Sequence, residues 1–153
     1  MRRILALISS VIAAAVLATA GTAMQAKPRS GPLHVTKECS EYNGSAGSFC
    51  TITSSNIKAI KPGMRVVYRQ PLGDGVLDSD IVLSSRRGPA AFGHVVLDLA
   101  TAQGRVTFSG GTGKFRGFHA EAVVSLDASG VWHWDGSYSF TRPDGGGDDD
   151  GDD

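Results

Sequence analysis

The sequence predicts an all-β domain, either a sandwich or a barrel, with about eight strands in a chain of 153 residues. Turn signals rich in glycine, proline and asparagine recur mostly every 9 to 18 residues between positions 43 and 130. Runs rich in β-branched and aromatic residues separate these turns, and no convincing helical period interrupts them. About 110 residues of this pattern are enough for one compact domain.

The chain begins with the features of a secretory signal peptide. Arg2 and Arg3 precede an apolar run from Ile4 to about Ala20, and small residues follow. This order predicts export and cleavage after Ala20, Ala23 or Ala26. A membrane anchor is the alternative, but the run of 17 residues is at the short edge for a span of about 20. We therefore expect an extracellular mature protein with no membrane segment.

The two cysteines predict a disulfide. Cys39 and Cys50 flank a segment that contains Asn43-Gly44, a strong hairpin signal. A turn centred between Gly44 and Ser45 places the cysteines opposite one another on neighbouring strands, where a disulfide can form. An oxidising compartment favours the bond. A zinc site or a reactive thiol is less compatible with two cysteines that lack nearby histidines or an activating motif.

Strict alternation at the carboxyl end predicts a buried aromatic face. In the segment VWHWDGSYSF the even positions hold Trp132, Trp134, Tyr138 and Phe140, whereas the odd positions are mostly polar. Alternate side chains of a strand point to opposite faces. Phe118 shares its face with alanines, and Tyr68 shares its face with Met64 and Val66. Small residues beside large aromatic ones fit the interior of a small barrel. The candidate ligand-binding residues are Tyr68, Phe118, Trp132, Trp134, Tyr138 and Phe140.

The glycine-rich segment FSGGTGKFRGFHAEA, residues 108–122, invites comparison with a phosphate-binding loop. Such a loop requires a helix after its lysine, but the residues after Lys114 alternate as a strand does. Gly110, Gly111, Thr112 and Gly113 therefore predict a structural turn between two strands, where glycine supplies unusual backbone angles.

The same residues carry a family resemblance. Gly110, Gly111, Thr112, Gly113 and Phe115 resemble the GGTG-x-F segment of the dirigent proteins and the allene oxide cyclases, and the similarity extends from about Phe92 to Ser139. The resemblance implies an eight-stranded antiparallel barrel with an apolar cavity, often trimeric in the plant members. It also implies that the barrel holds a reactive molecule in one conformation, so that ring closure or coupling follows by proximity and orientation.

The four histidines do not predict a metal site. His94, His119 and His133 lie on the more polar faces of their strands, so we expect them to face solvent. Asp78 and Asp80 are expected near a loop. No nucleophile motif and no paired catalytic carboxylates stand out, so we expect no metal and no cofactor, and we assign no catalytic residue.

The last residues, RPDGGGDDDGDD, predict a disordered acidic tail because they have no apolar side chain to bury. Calcium binding is the alternative reading, but the spacing of a calcium loop is absent. Without this tail and the signal peptide, residues 27–143 carry 13 basic and 9 acidic side chains. The basic residues are scattered, which does not favour nucleic acid as a partner. The predicted boundaries are 1–26 for the signal peptide, 27–33 for a linker, 34–141 for the β-barrel domain and 142–153 for the tail.

Three functions follow as expectations. The first is a secreted barrel that binds a small apolar or aromatic molecule in its lumen and steers a cyclisation or coupling. The second is a non-catalytic binding or surface protein whose lumen is filled by side chains. The third is a protein inhibitor that uses the loop at residues 43–47.

Overall fold

The computed structural model describes residues 29–141, and these form a closed barrel of eight antiparallel strands. Each strand pairs with its neighbours in the sequence, and the last pairs with the first. The predicted fold class is therefore confirmed. The predicted signal peptide and acidic tail lie outside the described residues. The strands are β1 (Ser30–Glu38), β2 (Phe49–Ser55), β3 (Arg65–Tyr68), β4 (Val76–Ser84), β5 (Ala90–Asp98), β6 (Gln103–Gly111), β7 (Phe118–Leu126) and β8 (Trp132–Phe140).

The barrel has two ends, which we name by their main features. The lysine end is formed by the end of β1 and the start of β2, together with the loops 39–48, 69–75, 99–102 and 127–131. The cleft end is formed by the start of β1, the end of β8 and the loops 56–64, 85–89 and 112–117. No helix in the described part of the chain is long and apolar enough to cross a membrane.

Alternation places the core inside the barrel. Every second residue of a strand points inward, so the inward faces form one continuous core, which is apolar except at a few positions such as Lys37 and Ser79. On β7 the inward residues are Phe118, Ala120, Ala122 and Val124, as the sequence predicts. The middle of the lumen is filled by aromatic side chains, because the Phe108 ring lies 5.6 Å from the Phe118 ring and 5.6 Å from the Trp134 ring.

The GGTG segment forms the corner at which β6 ends. Gly110 and Gly111 were predicted as turn residues but are the last two residues of β6, paired with Phe92 and Ala91, so only Thr112 and Gly113 lie beyond the strand. Gly110 has a φ of 141°, which side chains rarely allow, and the Thr112 amide donates to the Ala90 carbonyl oxygen at 2.7 Å. A further correction concerns the residues that follow. Gly113–Phe115 form a single 3-10 turn, and β7 begins only at Phe118, because Phe115 folds inward and is fully buried against Phe118.

The corner leads to a prediction about stability. A Cβ atom at Gly111 would overlap the Ala90 carbonyl oxygen and lie 2.5 Å from the Phe115 Cβ. We expect Gly111→Ala to lower the free energy of unfolding by about 1–3 kcal/mol, the usual cost of overpacking. Urea denaturation measures the change.

Gly73→Ala is the matched control, because a Cβ at Gly73 meets no atom within 4 Å. We expect its unfolding free energy to stay within about 0.5 kcal/mol of the original chain. Equal stabilities for the two variants would contradict the packing of this corner.

Candidate functional sites at the two ends of the barrel

A lysine side chain lies inside the lysine end of the barrel. Lys37 follows Leu33 and Val35 on the inward face of β1 and is only 2% exposed. Its Nζ donates to the Tyr68 hydroxyl oxygen at 3.0 Å and lies 3.4 Å from the Cys39 Sγ and 3.6 Å from the Cys50 Sγ. Lysine is almost never buried without a partner, so this position is unusual for a purely structural residue.

Aromatic rings provide the rest of the lysine's surroundings. The Nζ atom lies 5.8 Å from the centre of the Tyr68 ring, 5.3 Å from Trp132 and 5.7 Å from Trp134. Ring faces attract a cation, and this attraction offsets part of the cost of removing the ammonium from water. The three rings come from β3 and β8, which alternation turns toward the lumen.

Burial dominates the chemistry of this amine. Desolvation lowers the pKa of Lys37 from 10.5 to about 7, and no carboxylate contributes to the shift. Burial also raises the pKa of the Tyr68 phenol, and the nearby Tyr42 phenol adds to that effect. Near neutral pH, Lys37 therefore exists both as a cation and as a neutral amine that can accept a proton.

A cross-linked loop covers the lysine end. The predicted disulfide between Cys39 and Cys50 is present, with a Cα–Cα distance of 4.2 Å. The loop 40–48 that it closes is joined to the strands below, because Gly47 donates its amide to the Tyr68 carbonyl oxygen at 2.7 Å. The Tyr42 ring lies edge-on to the Tyr68 ring at 4.9 Å. Within residues 29–141, the buried Tyr42 hydroxyl and the Trp134 indole nitrogen have no hydrogen-bond partner.

A cleft of about 620 Å³ lies at the opposite end of the barrel. Its apolar wall is formed by Ile57 and Ala59 from the loop 56–64 and by Tyr138 and Phe140 from β8. Phe140 packs against the buried Phe118 at a ring distance of 5.1 Å, so the cleft lies directly above the filled lumen. The remaining lining residues are Arg29, Asn56, Lys58 and Lys114.

The charged side chains that line this cleft are all cationic. Among residues 29–141, three cationic side chains and no acidic side chain line the cleft. Partial burial, and to a lesser extent the nearby Lys61, lowers the pKa of Lys114. An anion bound beside Lys114 would raise this pKa again and so oppose the effects of burial and of Lys61, because it favours the charged form of the amine.

The six predicted ligand-binding residues do not line one cavity. Tyr68, Trp132 and Trp134 surround Lys37, whereas Phe118, Tyr138 and Phe140 belong to the cleft end. The Phe108 side chain packs between the two groups. Phe118 and Trp134 are almost fully buried, whereas Trp132, Tyr138 and Phe140 are half-buried.

The histidines lie on the outer surface, as their positions in the strands predict. His34 pairs with Asp135 at 2.8 Å, and His133 pairs with Asp127 at 2.7 Å. His94 contacts both Asp78 and Asp80, at 2.9 and 3.0 Å.

Asp78 and Asp80, expected near a loop, lie in the first half of β4, which follows the loop 69–75. Both belong to β4 and point outward, because they alternate with the buried Leu77, Ser79 and Ile81. In the described residues, no group of three or more histidine, cysteine or acidic side chains has the arrangement of a metal site.

Comparison with known protein families, with curated proteins and with solved structures found no significant match to this chain. The geometry of the two barrel ends is therefore the basis on which a function can be inferred.

The buried lysine predicts a specific pH dependence of stability. Above a pH of about 7 the folded protein loses a proton that the unfolded chain keeps up to about 10.5. The free energy of unfolding therefore rises with pH by up to about 1.4 kcal/mol per unit over this window. Below a pH of about 7 the amine is protonated in both the folded and the unfolded state. The contribution of Lys37 to the free energy of unfolding therefore does not change with pH there, and the cost of burying the charged amine is largest.

We expect Lys37→Met to remove this rise and to increase stability at neutral pH by a few kcal/mol. Urea denaturation from about pH 6 to about pH 9.5 measures the difference between the two profiles, below the range in which tyrosines ionise. The control is Arg87→Met, which removes an exposed cation from the loop 85–89. Parallel profiles for Lys37→Met and the original chain would show that the amine is hydrated.

Proposed function

We propose that this protein is an exported carrier of small amphipathic anions, which it binds in the cleft at the end of the barrel. The ligand class is a small apolar or aromatic molecule with a carboxylate or a similar acidic group. The observation that carries the proposal is the combination of an apolar wall, from Ile57, Tyr138 and Phe140, with a rim of three cations. The signal-like amino terminus and the disulfide support export.

The dimensions of the cleft support a ligand of this size. Sites for small molecules usually have volumes of about 300–1,000 Å³, with mainly apolar walls and a few polar groups that set orientation. The apolar body of such a ligand would gain about 25 cal/mol for each Å² of apolar surface removed from water. Arg29, Lys58 and Lys114 would bind the acidic group and leave the apolar body against Tyr138 and Phe140.

Binding at the barrel end, rather than deep in the lumen, follows from packing. The Phe108, Phe118 and Trp134 rings occupy the middle of the barrel, and protein interiors have little space for added atoms. A ligand that enters from the cleft end therefore meets the Phe118 and Phe140 pair as its floor. This packing also favours the second candidate function, a non-catalytic binding protein with a filled barrel.

Kinship with the dirigent and allene oxide cyclase proteins is part of the proposal. It is supported by the GGTG-x-F segment and by the agreement between the closed eight-stranded barrel and the architecture that the resemblance implies. Catalysis by steering a cyclisation or coupling would then use the shape of the cleft to fix one ligand conformation. A trimeric assembly is a further expectation from the same resemblance.

The proposal predicts a preference for anions. We expect pyrenebutyrate, a fluorescent aromatic carboxylate, to bind at least about tenfold more tightly than its uncharged methyl ester at low salt, which corresponds to about 1.4 kcal/mol. Charge reversal by Lys114→Glu should remove this preference, because it places an anion in the cleft. Fluorescence anisotropy measures both affinities.

Arg69→Glu is the control, since this charge reversal lies at the lysine end, away from the cleft. It should preserve the preference for the carboxylate. If neither probe binds saturably, the proposed function is wrong. If pyrenebutyrate and its methyl ester bind with equal affinity in the original chain, and Lys114→Glu leaves both affinities unchanged, the cationic rim has no role in ligand binding.

A further inference from the structure

The two sulfur atoms of the disulfide are not equivalent. Cys39 begins the loop that covers the barrel and is partly exposed, whereas Cys50 belongs to β2 and is 2% exposed. A thiolate from outside can therefore approach the Cys39 sulfur much more easily than the Cys50 sulfur. Exchange between a thiol and a disulfide begins with such an attack, and access decides which sulfur is attacked.

The groups around Cys50 suit a departing thiolate. The Tyr68 hydroxyl lies 3.3 Å from the Cys50 Sγ. The Lys37 Nζ lies beside both sulfurs, 3.6 Å from the Cys50 Sγ and 3.4 Å from the Cys39 Sγ, so the Tyr68 hydroxyl is the contact that distinguishes Cys50. The hydroxyl and the amine are both hydrogen-bond donors, and a lysine beside a cysteine lowers the pKa of its thiol. A leaving sulfur of lower pKa departs faster in thiol–disulfide exchange.

We propose that Cys39–Cys50 is an exchange-active disulfide site for thiol reductants, with Cys39 as the attacked sulfur, Cys50 as the leaving sulfur and Lys37 as a positioning residue for the Cys50 thiolate. This activity is independent of the proposed ligand cleft, which lies at the other end of the barrel.

The reaction balances in two steps. In the first, a thiolate bonds to the Cys39 sulfur, the Cys39–Cys50 bond breaks, and its electron pair stays on Cys50 as a thiolate beside the Lys37 ammonium. In the second, another thiolate attacks the external sulfur of the mixed disulfide and releases Cys39 as a thiolate, which takes a proton from solvent. Two thiols are oxidised to one disulfide, and the protein disulfide is reduced.

The amine of Lys37 gains a counter-ion in this reaction. In the oxidised protein its cationic form is destabilised by burial, and its pKa is about 7. In the oxidised protein the titratable side chain that faces it is the Tyr68 phenol of β3, and Tyr42 from the loop packs against Tyr68. The two cysteines beside the amine titrate only after the disulfide is reduced. The neighbouring groups from β8 are the indole rings of Trp132 and Trp134, which do not titrate. The Cys50 thiolate would thus be the only anion beside the amine in the described part of the chain.

Reduction also releases the cover of the barrel. The disulfide joins the two ends of the loop 40–48, which packs over Tyr68 and, beneath it, Lys37. Without the cross-link, the loop retains only its hydrogen bonds and the Tyr42 contact. Exchange at Cys39 therefore links the redox state of the surroundings to the exposure of this end of the lumen.

Kinetics with glutathione test the proposal on the chain from Lys27 to Asp153. We expect Lys37→Met to slow reduction at neutral pH at least about tenfold and Tyr68→Phe to slow it severalfold, because each removes a donor from the departing sulfur. Arg87→Met, an exposed cation in another loop, should react at the original rate. Peptide mass mapping of the trapped intermediate should find glutathione on Cys39.

A second measurement separates this role from a change in stability. In the reduced, folded protein we expect the ultraviolet absorbance of a thiolate near neutral pH, and we expect Lys37→Met to lose it. If Lys37→Met does not fold, Tyr68→Phe should still raise the pKa of the Cys50 thiol. Equal exchange rates in the original chain and in both variants, glutathione found mainly on Cys50, or a thiolate signal that persists in Lys37→Met would each overturn the proposal.

Discussion

Closure of the eight strands is the constraint on which the rest of the structure depends. Because β8 pairs with β1, the sheet has no free edge, and every second side chain faces a narrow interior. Lys37 occupies one of these inward positions, so its amine lies among aromatic rings rather than in water. Since Phe108, Phe118 and Trp134 fill the middle of the lumen, the buried amine and the apolar cleft lie at its opposite ends.

The two ends have different physical character. At the lysine end, a disulfide and a hydrogen-bonded loop cover an amine that is costly to charge. At the cleft end, the cations are nearer to solvent and lie beside an apolar wall. The lysine end suits a reaction that places an anion beside the buried amine. The cleft end suits reversible binding of an amphipathic anion. Separation by the filled lumen allows the two ends to act independently.

Sequence patterns predicted the parts of this structure that depend on local rules. The turn signals located the strands, and the spacing of Cys39 and Cys50 placed them opposite one another, just beyond the pair Glu38 and Thr51 of the ladder. Alternation also predicted the inward positions of Trp134 and Phe118. Lys37 was missed although it occupies the same inward series as Leu33 and Val35, because a charged residue in a strand is usually assigned to the outside. The cleft was not predictable, since it depends on how the loop 56–64 folds toward β8.

The central claim is that closure of the barrel forces Lys37 to remain in a dry, aromatic environment. The most direct measurement is a nuclear magnetic resonance titration of the Lys37 side chain in the oxidised protein, followed through its Cε and Nζ signals. The structure predicts a midpoint near 7, well below the titration of an exposed lysine. A midpoint close to the ordinary value of about 10.4 would contradict the account, because it would place the amine in water.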